Sequence, residues 1–414
     1  MKRYYFSAGI FFVLLAITGM ALRPAPKVYI RRYSGSRYRL FVQSKPYIIK
    51  GVCYNPVPIG ENHEYDVFSD PNKPWLTDGK LMKEMGINTV RFYEVGDSPE
   101  QVKQVIRDLY RLYGIRSILG HWLGFWEYPC PRYADADFRE RIKQEVLNMV
   151  NLYKDEQGVL FWILGNENNY SFSGQVNPWT TDEIENEPDP VKQREMRAGI
   201  YYSFVNDLAR EIHKIDPNHP VALGNGELLG LEFANEFCPD IDLVGCIIYR
   251  GKTSGNLFNS LKATFDRPIA ITEFGSDCYD AYRNREDQNM QAYFLESQWR
   301  QIYKNLYGDK DGAGNCLGGT IFEWTDEWWK HNEYSPESWW VHDAGAGWSN
   351  GSYYFDIRAE NNMNMNEEWF GIVALSPELE DGTNKRTPRK SYYVLREFWK
   401  NPAREPIVKS PSLR

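Results

Sequence analysis

The chain has 414 residues, of which 42% are hydrophobic, 25% charged and 15% aromatic, a composition that suits a folded globular protein and excludes a disordered or collagen-like one. Its net charge of −8, with no long run of Lys and Arg, excludes a binding mode driven by counterion release from phosphates, so nucleic acid is not expected as a partner. A length of ~150 residues per domain would give two or three domains, but an α/β barrel of ~250 residues with insertions forms one.

Lys2 and Arg3 precede a charge-free run from Tyr4 to Leu22 whose most apolar part is Ile10 to Ile17. This is the pattern of an export signal. Gly19 and Ala21 supply small residues for cleavage, so residues 1–21 read as a removable signal peptide. The run 4–22 is also long enough for an uncleaved membrane anchor. In both cases the chain is expected outside the cytoplasm, in a periplasm or the extracellular space. Six cysteines follow (Cys53, Cys130, Cys238, Cys246, Cys278, Cys316) at spacings that match no zinc site. Cys246 lies in an apolar run and reads as a buried thiol, whereas Cys130 and Cys278 lie in loop-like text where a bridge could form after export.

From residue 28 the text alternates as a short β-hairpin, with Val28 and Ile30, a Ser-Gly turn at residues 34–36, then Leu40 and Val42. Eight apolar strand-like runs follow: Tyr47 to Tyr54, Ile87 to Tyr93, Ile115 to His121, Val159 to Gly165, Pro220 to Gly224, Asp242 to Tyr249, Pro268 to Phe274 and Gly318 to Trp324. Between them the period changes to that of amphipathic helices. Val102, Val105, Ile106 and Leu109 share one face after Pro99; Phe138, Ile142, Val146 and Met149 follow Asp135 and Asp137; Met196, Ile200, Phe204, Leu208 and Ile212 lie on a longer helix. A further helix carries Met290, Phe294 and Ile302, and a last one spans Tyr392 to Phe398 after a long irregular insertion from Lys330 to Phe370. Eight strands each followed by a helix or connector predict a single (β/α)8 barrel over residues 28–402, with 403–414 as a tail.

In such barrels chemistry sits at the carboxyl ends of the strands. The fourth run ends in Asn166-Glu167 and the seventh in Glu273, each a carboxylate directly after a buried strand. Two strands lie between them in the ring, so the two side chains can face one another across the mouth. A pair of carboxyl groups is the equipment of glycosidic-bond cleavage: one gives a proton to the leaving oxygen and the other faces the anomeric carbon. No metal or organic cofactor is required. His121 and Trp122, after the third run, are candidates for lining a sugar subsite, although a lone His is as often a packed structural residue. Glu323, Asp326 and Glu327 form a second acidic group around the eighth run, expected as a solvated rim.

Gly165-Asn166-Glu167, Thr272-Glu273-Phe274-Gly275, Arg91, Tyr249 and Trp324 together resemble the clan A retaining glycoside hydrolases over roughly residues 47 to 330. The chain looks closest to the catalytic domains of family 2, and Tyr54-Asn55-Pro56 with Gly165-Asn166-Glu167 is also similar to the fungal β-1,3-glucanosyltransferases. The jelly-roll and immunoglobulin-like domains that precede the family 2 barrel are not seen before it here, so the resemblance does not extend to that family's exo-acting substrates. It implies Glu167 as acid/base and Glu273 as nucleophile, with Arg91 paired to Glu273 and Tyr249 donating to it. Asn166 would bond the sugar hydroxyl beside the anomeric carbon, and Trp324 would line the site. Other readings stand beside these: Arg91 could neutralise Glu94, Tyr249 could be a rim aromatic, and Asn166 could cap the next turn.

The aromatic content points to a glycan. Of the 14 Trp, Trp122, Trp126, Trp324, Trp328, Trp329, Trp339, Trp340, Trp348 and Trp369 fall after the third run or from the eighth onward, where flat rings can stack on pyranose faces or pack the insertion onto the barrel. The expectation is an exported retaining β-glycosidase acting on an oligo- or polysaccharide, such as a β-linked glucan. A transglycosylase using the same pair, a glycan-binding barrel without turnover and a membrane-anchored scaffold are the alternatives.

Overall fold

In the computed structural model of the chain, residues 27–127, 131–174, 176–280, 283–344 and 366–408 are described. Three short antiparallel strands come first, β1 (Val28–Tyr33), β2 (Arg37–Val42) and β3 (Lys45–Tyr47). The expected hairpin thus carries a third strand. The barrel strands are β4 (Ile49–Cys53), β5 (Thr89–Phe92), β6 (Arg116–His121), β7 (Val159–Leu164), β8 (Val221–Gly226), β9 (Leu243–Ile247) and β10 (Ile269–Gly275). After a minimal hairpin, β11 (Tyr279–Asp280) and β12 (Arg285–Glu286), comes the eighth barrel strand, β13 (Cys316–Phe322). The eight pair in parallel in the order β10-β13-β4-β5-β6-β7-β8-β9, and the ring closes between β9 and β10. This is the (β/α)8 barrel, and every one of its strands overlaps an apolar run of the sequence.

Helices cover the outside: α1 (Pro74–Met85), α2 (Pro99–Asp108), α3 (Ala136–Tyr153), a short α4 (Asp182–Asn186), α5 (Pro190–Ile215), α6 (Leu231–Phe237), α7 (Leu257–Thr264) and α8 (Gln288–Lys304). Helix starts are fixed locally. The Asp135 carboxylate accepts from Phe138 N and the Asp287 carboxylate from Asn289 N and Met290 N, satisfying donors that have no intrahelical partner. The strands read as unbroken apolar text because both faces are covered: all six residues of β7 are buried. Ile118, Phe161, Ile163 and Leu243 fill the barrel interior together with Val28, Leu40 and Val42 of the amino-terminal strands. Val28 N donates to Asn218 O and Tyr38 N to Gly314 O, just ahead of β8 and β13, so this small sheet closes the amino-terminal end of the barrel. The carboxyl end is left for a site.

Past β13 the chain runs through the insertion to a hairpin, β14 (Val373–Glu380) and β15 (Thr383–Pro388), and the closing helix α9 (Lys390–Lys400). One buried cation secures this return. Arg389, 1% exposed, reaches Asp326 with Nη1 to Oδ1 at 2.5 Å and Nη2 to Oδ2 at 2.8 Å, and also donates to Gly371 O at 2.6 Å. Residues just beyond 402 pack back on α8, where Ile407 N donates to Glu296 and Val408 contacts Ala292 and Val394. Cys53, Cys238, Cys246, Cys278 and Cys316 are buried free thiols; Cys278 Sγ lies 3.6 Å from Glu286 Oε1. Among the described residues no helix is long and apolar enough to cross a membrane. Residues 1–26, with the expected signal or anchor, lie outside the described residues, as do Cys130 and Trp348.

Replacing Arg389 by Met strands the Asp326 carboxylate in the interior, and removing one partner of a buried pair costs about 3–5 kcal/mol. Urea denaturation should show a loss of that size. A loss below about 1 kcal/mol, the range of exposed pairs, would show that the clamp does not hold the return segment.

Candidate active site

The carboxyl ends of β5, β7 and β10 converge on Arg91. Its side chain is 1% exposed and sits among groups from all three strands. Nη1 donates to Thr272 O at 2.8 Å and Glu273 Oε2 at 3.2 Å, and Nη2 donates to Asn166 Oδ1 at 2.6 Å. The guanidinium lies 4.2 Å from the centroid of the Tyr93 ring, a cation–π contact in a dry setting.

Glu273, 7% exposed, accepts on both oxygens. Tyr93 Oη donates to Oε2 at 2.6 Å, and Tyr249 Oη donates to Oε1 at 2.7 Å. Burial, followed by the charges around them including that of Glu273, pushes both phenols well above their ordinary value, so they stay protonated and act as donors. Charge-assisted bonds of this kind fix the orientation of a carboxylate.

Glu167 has different surroundings. It follows β7 with φ 62°, in the left-handed region, and is partly buried. Withdrawal from water, then the Glu273 charge, then that of Glu367 raise its carboxyl to about 8, against the opposing pull of Arg91 and Lys330. The turn that presents it depends on Gly165: with φ 77°, a Cβ there would clash with Tyr201 Oη and with Asn168 Oδ1. Asn168 Oδ1 accepts from Asn166 N at 2.6 Å, holding the strand end in shape.

The structure therefore brings Arg91, Asn166, Tyr249 and Glu273 into one hydrogen-bonded group, with Glu167 in its field. Trp122 borders it, stacked on Tyr93 at 5.3 Å and 13° and meeting Trp126 edge-on. His121 is engaged elsewhere: Nδ1 accepts from Leu123 N and Nε2 lies 3.5 Å from Glu145, so its polar contacts serve the turn into α3. Trp324 is a correction. It is fully buried among the core residues under α9, tilted against Tyr392 at 6.5 Å. The strand ends at Phe322, and beyond it Trp324 N donates to Cys53 O while its O accepts from Val373 N, with the indole packed in the core. Phe322 packs with Cys53, Phe370, Tyr93 and Tyr249, beside the two phenols that donate to Glu273.

Tyr93 is the participant that the sequence reading passed over. Its signal was spacing, because residues two apart on a strand share a face and Tyr93 stands two after Arg91. The second acidic group is also corrected. Glu323, Asp326 and Glu327 are 1%, 1% and 3% exposed, not a solvated rim. The return segment roofs them, with Glu323 N donating to Phe370 O and Ile372 N to Glu323 O. Several insertion tryptophans serve packing: Trp369 stacks on Tyr279 and His342, and Trp328 on His342.

No protein-family model matches the chain, and no curated protein matches it in sequence. Solved structures do match its fold. A β-glucuronidase of Bacteroides uniformis superposes with a TM-score of 0.54 at 16% identity, over 90% of this chain and 37% of its own. A GH2 β-galacturonidase from Eisenbergiella tayi, bound to galacturonate, gives 0.53 at 15% over 90% and 54%. A β-D-glucuronidase of Dictyoglomus thermophilum gives 0.52 at 14% over 90% and 54%. The chain thus spans 37% to 54% of the length of these proteins, and the likeness shows a shared barrel fold.

Two outcomes follow from the geometry. Tyr93→Phe removes one donor from Glu273 and should lower turnover of whatever this site transforms by about 10- to 100-fold, the equivalent of the ~1.5–3 kcal/mol carried by a hydrogen bond to a charged group, with little change in fold by circular dichroism. Glu167, protonated in both states below about pH 4.5, ionises freely when unfolded but only near pH 8 when folded, so its contribution to stability is lost as pH rises across that window. Glu167→Gln should match the wild-type melting midpoint at pH 4 and exceed it at pH 9; equal midpoints at both would refute the raised carboxyl.

Proposed function

We propose that the chain is an exported β-glycoside hydrolase that acts with retention on a β-linked glucan or related polysaccharide. Glu167 is the acid/base and Glu273 the nucleophile. The observation that carries this reading is the contrast between the two carboxyls. One accepts from Arg91, Tyr93 and Tyr249, and the other is pushed to about 8 by burial and then by the charge of the first. Divergent environments for a carboxyl pair are how one site supplies an anion and an acid at the same pH.

In the first step a Glu273 oxygen bonds to the anomeric carbon as the glycosidic bond breaks, and the Glu167 proton passes to the departing oxygen. In the second, Glu167 takes a proton from water, whose oxygen displaces Glu273 from the same carbon. Asn166, its carbonyl oxygen fixed by Arg91, offers its amide to the hydroxyl beside that carbon, a bond that strengthens as positive charge develops. The rings of Trp122 and exposed Trp126 extend from Tyr93 as a surface for further sugars. The apolar run 4–22 supports meeting such a polymer outside the cytoplasm. The barrel shared with family 2 enzymes supports the reaction class, and each step is complete without metal or organic cofactor.

The test is trapping and product analysis. A slow fluoro-sugar glycoside should add its glycosyl mass to a peptide containing Glu273, and a label on another residue would reject the assignment. Glu273→Gln should lose at least about 10,000-fold in kcat. On β-glucans, shorter products mark hydrolysis, and products longer than the substrate mark transfer to sugar by the same pair. Because Glu167 must hold its proton, kcat/KM should fall as pH rises through about 8, and this limb should vanish in Glu167→Gln assayed with an activated leaving group.

A further inference from the structure

Charge is spread unevenly along this chain. The first 60 residues hold ten Lys and Arg and no Asp or Glu, so all 56 acidic residues lie beyond them. Two of the ten precede the apolar run 4–22 and eight follow it, six of these between Lys27 and Lys45, in and beside the amino-terminal sheet.

The sheet sorts its cations by face. Val28, Leu40 and Val42 pack into the barrel interior, so the alternate residues Tyr29, Arg31, Arg39 and Phe41 lie on the opposite face, away from the mouth. The register sets Arg31 directly across from Arg39, and like charges so placed weaken a strand pair. The other arginines of the sheet are engaged within the fold: Arg32 pairs with Asp266 at 2.5 Å, and Arg37 donates to Tyr307 O at 2.7 Å and to Gly312 O at 3.0 Å. Arg31 is exposed and Arg39 partly so, and among the described residues no carboxylate pairs with either. Their guanidinium groups lie near rings instead. Arg31 is 5.1 Å from the centroid of Phe41 and Arg39 5.5 Å from that of Tyr307, while Tyr29 stacks on Phe41 at 5.1 Å and 6°. A guanidinium held against a ring keeps its N–H fork for an outside anion, and phosphate oxygens match that fork.

So few cations do not hold nucleic acid by themselves. A tether changes this, because a face already kept near a surface meets it as an intramolecular partner. The six steps from Leu22 to Val28 span at most about 22 Å, so a run 4–22 set in a bilayer keeps β1 within reach of the headgroups. We propose that the outer face of the amino-terminal sheet rests on the anionic phosphate headgroups of the bilayer that the run 4–22 enters, with Arg31 and Arg39 as the lipid contacts. The mouth, at the other end of the barrel, then opens away from the membrane. Each cation at an anionic surface strengthens such a contact about fivefold. The contact is the same on either side of the bilayer where the leaflet is anionic, and it stands apart from the glycosidase reading.

The experiment places the full chain in vesicles of phosphatidylcholine alone or with about one third phosphatidylglycerol, and follows labelling of arginines by phenylglyoxal with mass spectrometry. Arg31 and Arg39 should label about 10-fold more slowly in the anionic vesicles, and about 1 M salt should remove the difference. Arg132, exposed just before α3 at the mouth end, should label at one rate in both. An amine reagent should find exposed Lys45 protected in the same way. Arg31→Glu with Arg39→Glu should abolish that protection, whereas Lys73→Glu with Lys192→Glu, an equal change of charge at the starts of α1 and α5, should leave it in place. Arg31→Gln with Arg39→Gln relieves the repulsion across the strand pair, so it should melt no lower than wild type and still lose the protection. Equal labelling of Arg31 and Arg39 in the two kinds of vesicle overturns the proposal, as does protection of Lys45 that survives loss of both arginines. A chain that floats with neither vesicle overturns it too. Protection of the two arginines by a soluble anionic polysaccharide, and not by vesicles, would replace the membrane with that partner.

Discussion

The site depends on one buried guanidinium. Arg91 arises from β5, yet its bonds end on Asn166 after β7 and on Thr272 and Glu273 of β10, which are brought within reach only when the ring is closed. An arginine buried to this degree is unfavourable unless its charge and donors are matched. The matching here is a carboxylate, a backbone carbonyl, a side-chain carbonyl and an aromatic face. Closing the barrel and assembling the carboxylate's donors are therefore a single event. This explains why Arg91 pairs across the barrel with Glu273 and not with its near neighbour Glu94. Glu94 is exposed and already solvated, so it gains little from an ion pair, whereas the buried Glu273 gains more.

That arrangement also sets the character of Glu167. Because Glu273 is anchored on both oxygens by groups that are themselves buried, its charge is fixed in space and acts on the second carboxyl with little screening. Arg91 offsets part of that field, as does Lys330 from the other side, but withdrawal from water and the carboxylates prevail. The raised Glu167 carboxyl thus comes first from its withdrawal from water and second from the charge of Glu273. Neither residue's state is a property of its own strand alone.

The barrel was legible because its grammar is local. Strands buried on both faces read as apolar runs, and the longer helices carry their period in plain sight, as in α3 and α5. Both carboxylates were legible because an acid directly after such a run has few structural reasons to be there. What escaped had a physical cause in each case. Helices α6 and α7 have only 7 and 8 residues, about two turns each, too short for a repeating period to stand out. The hairpin β14–β15 was hidden because its turn end is polar and exposed. Trp324 was misplaced because alternation was carried past Phe322, where the strand stops and the backbone bonds to Cys53 and Val373 instead. The burial of Glu323, Asp326 and Glu327 could not be read at all. Their cover comes from Phe370, Gly371 and Arg389, more than 40 residues further along the chain.

The same division separates what the fold conveys from what it does not. The groups around Glu273 project from strands β5, β7 and β10 and from the loop that follows β9, whose positions are fixed by the hydrogen-bonded ring. Any chain that closes this barrel can hold them in the same relation. Glu323, Glu327, Lys330 and Glu367 lie past the last strand, in the insertion and on the 3₁₀ turn Glu367–Trp369, held by the Arg389–Asp326 clamp and by Glu368, which accepts from His331 N and Asp343 N. Loops supported by a rigid scaffold change without disturbing it. A shared barrel therefore fixes where the strand-end groups stand, while the charges past the last strand are set by an insertion that the ring does not dictate. In this chain that insertion sets Lys330 against Glu327 and Glu367, an arrangement that follows from its own packing and not from the barrel beneath it.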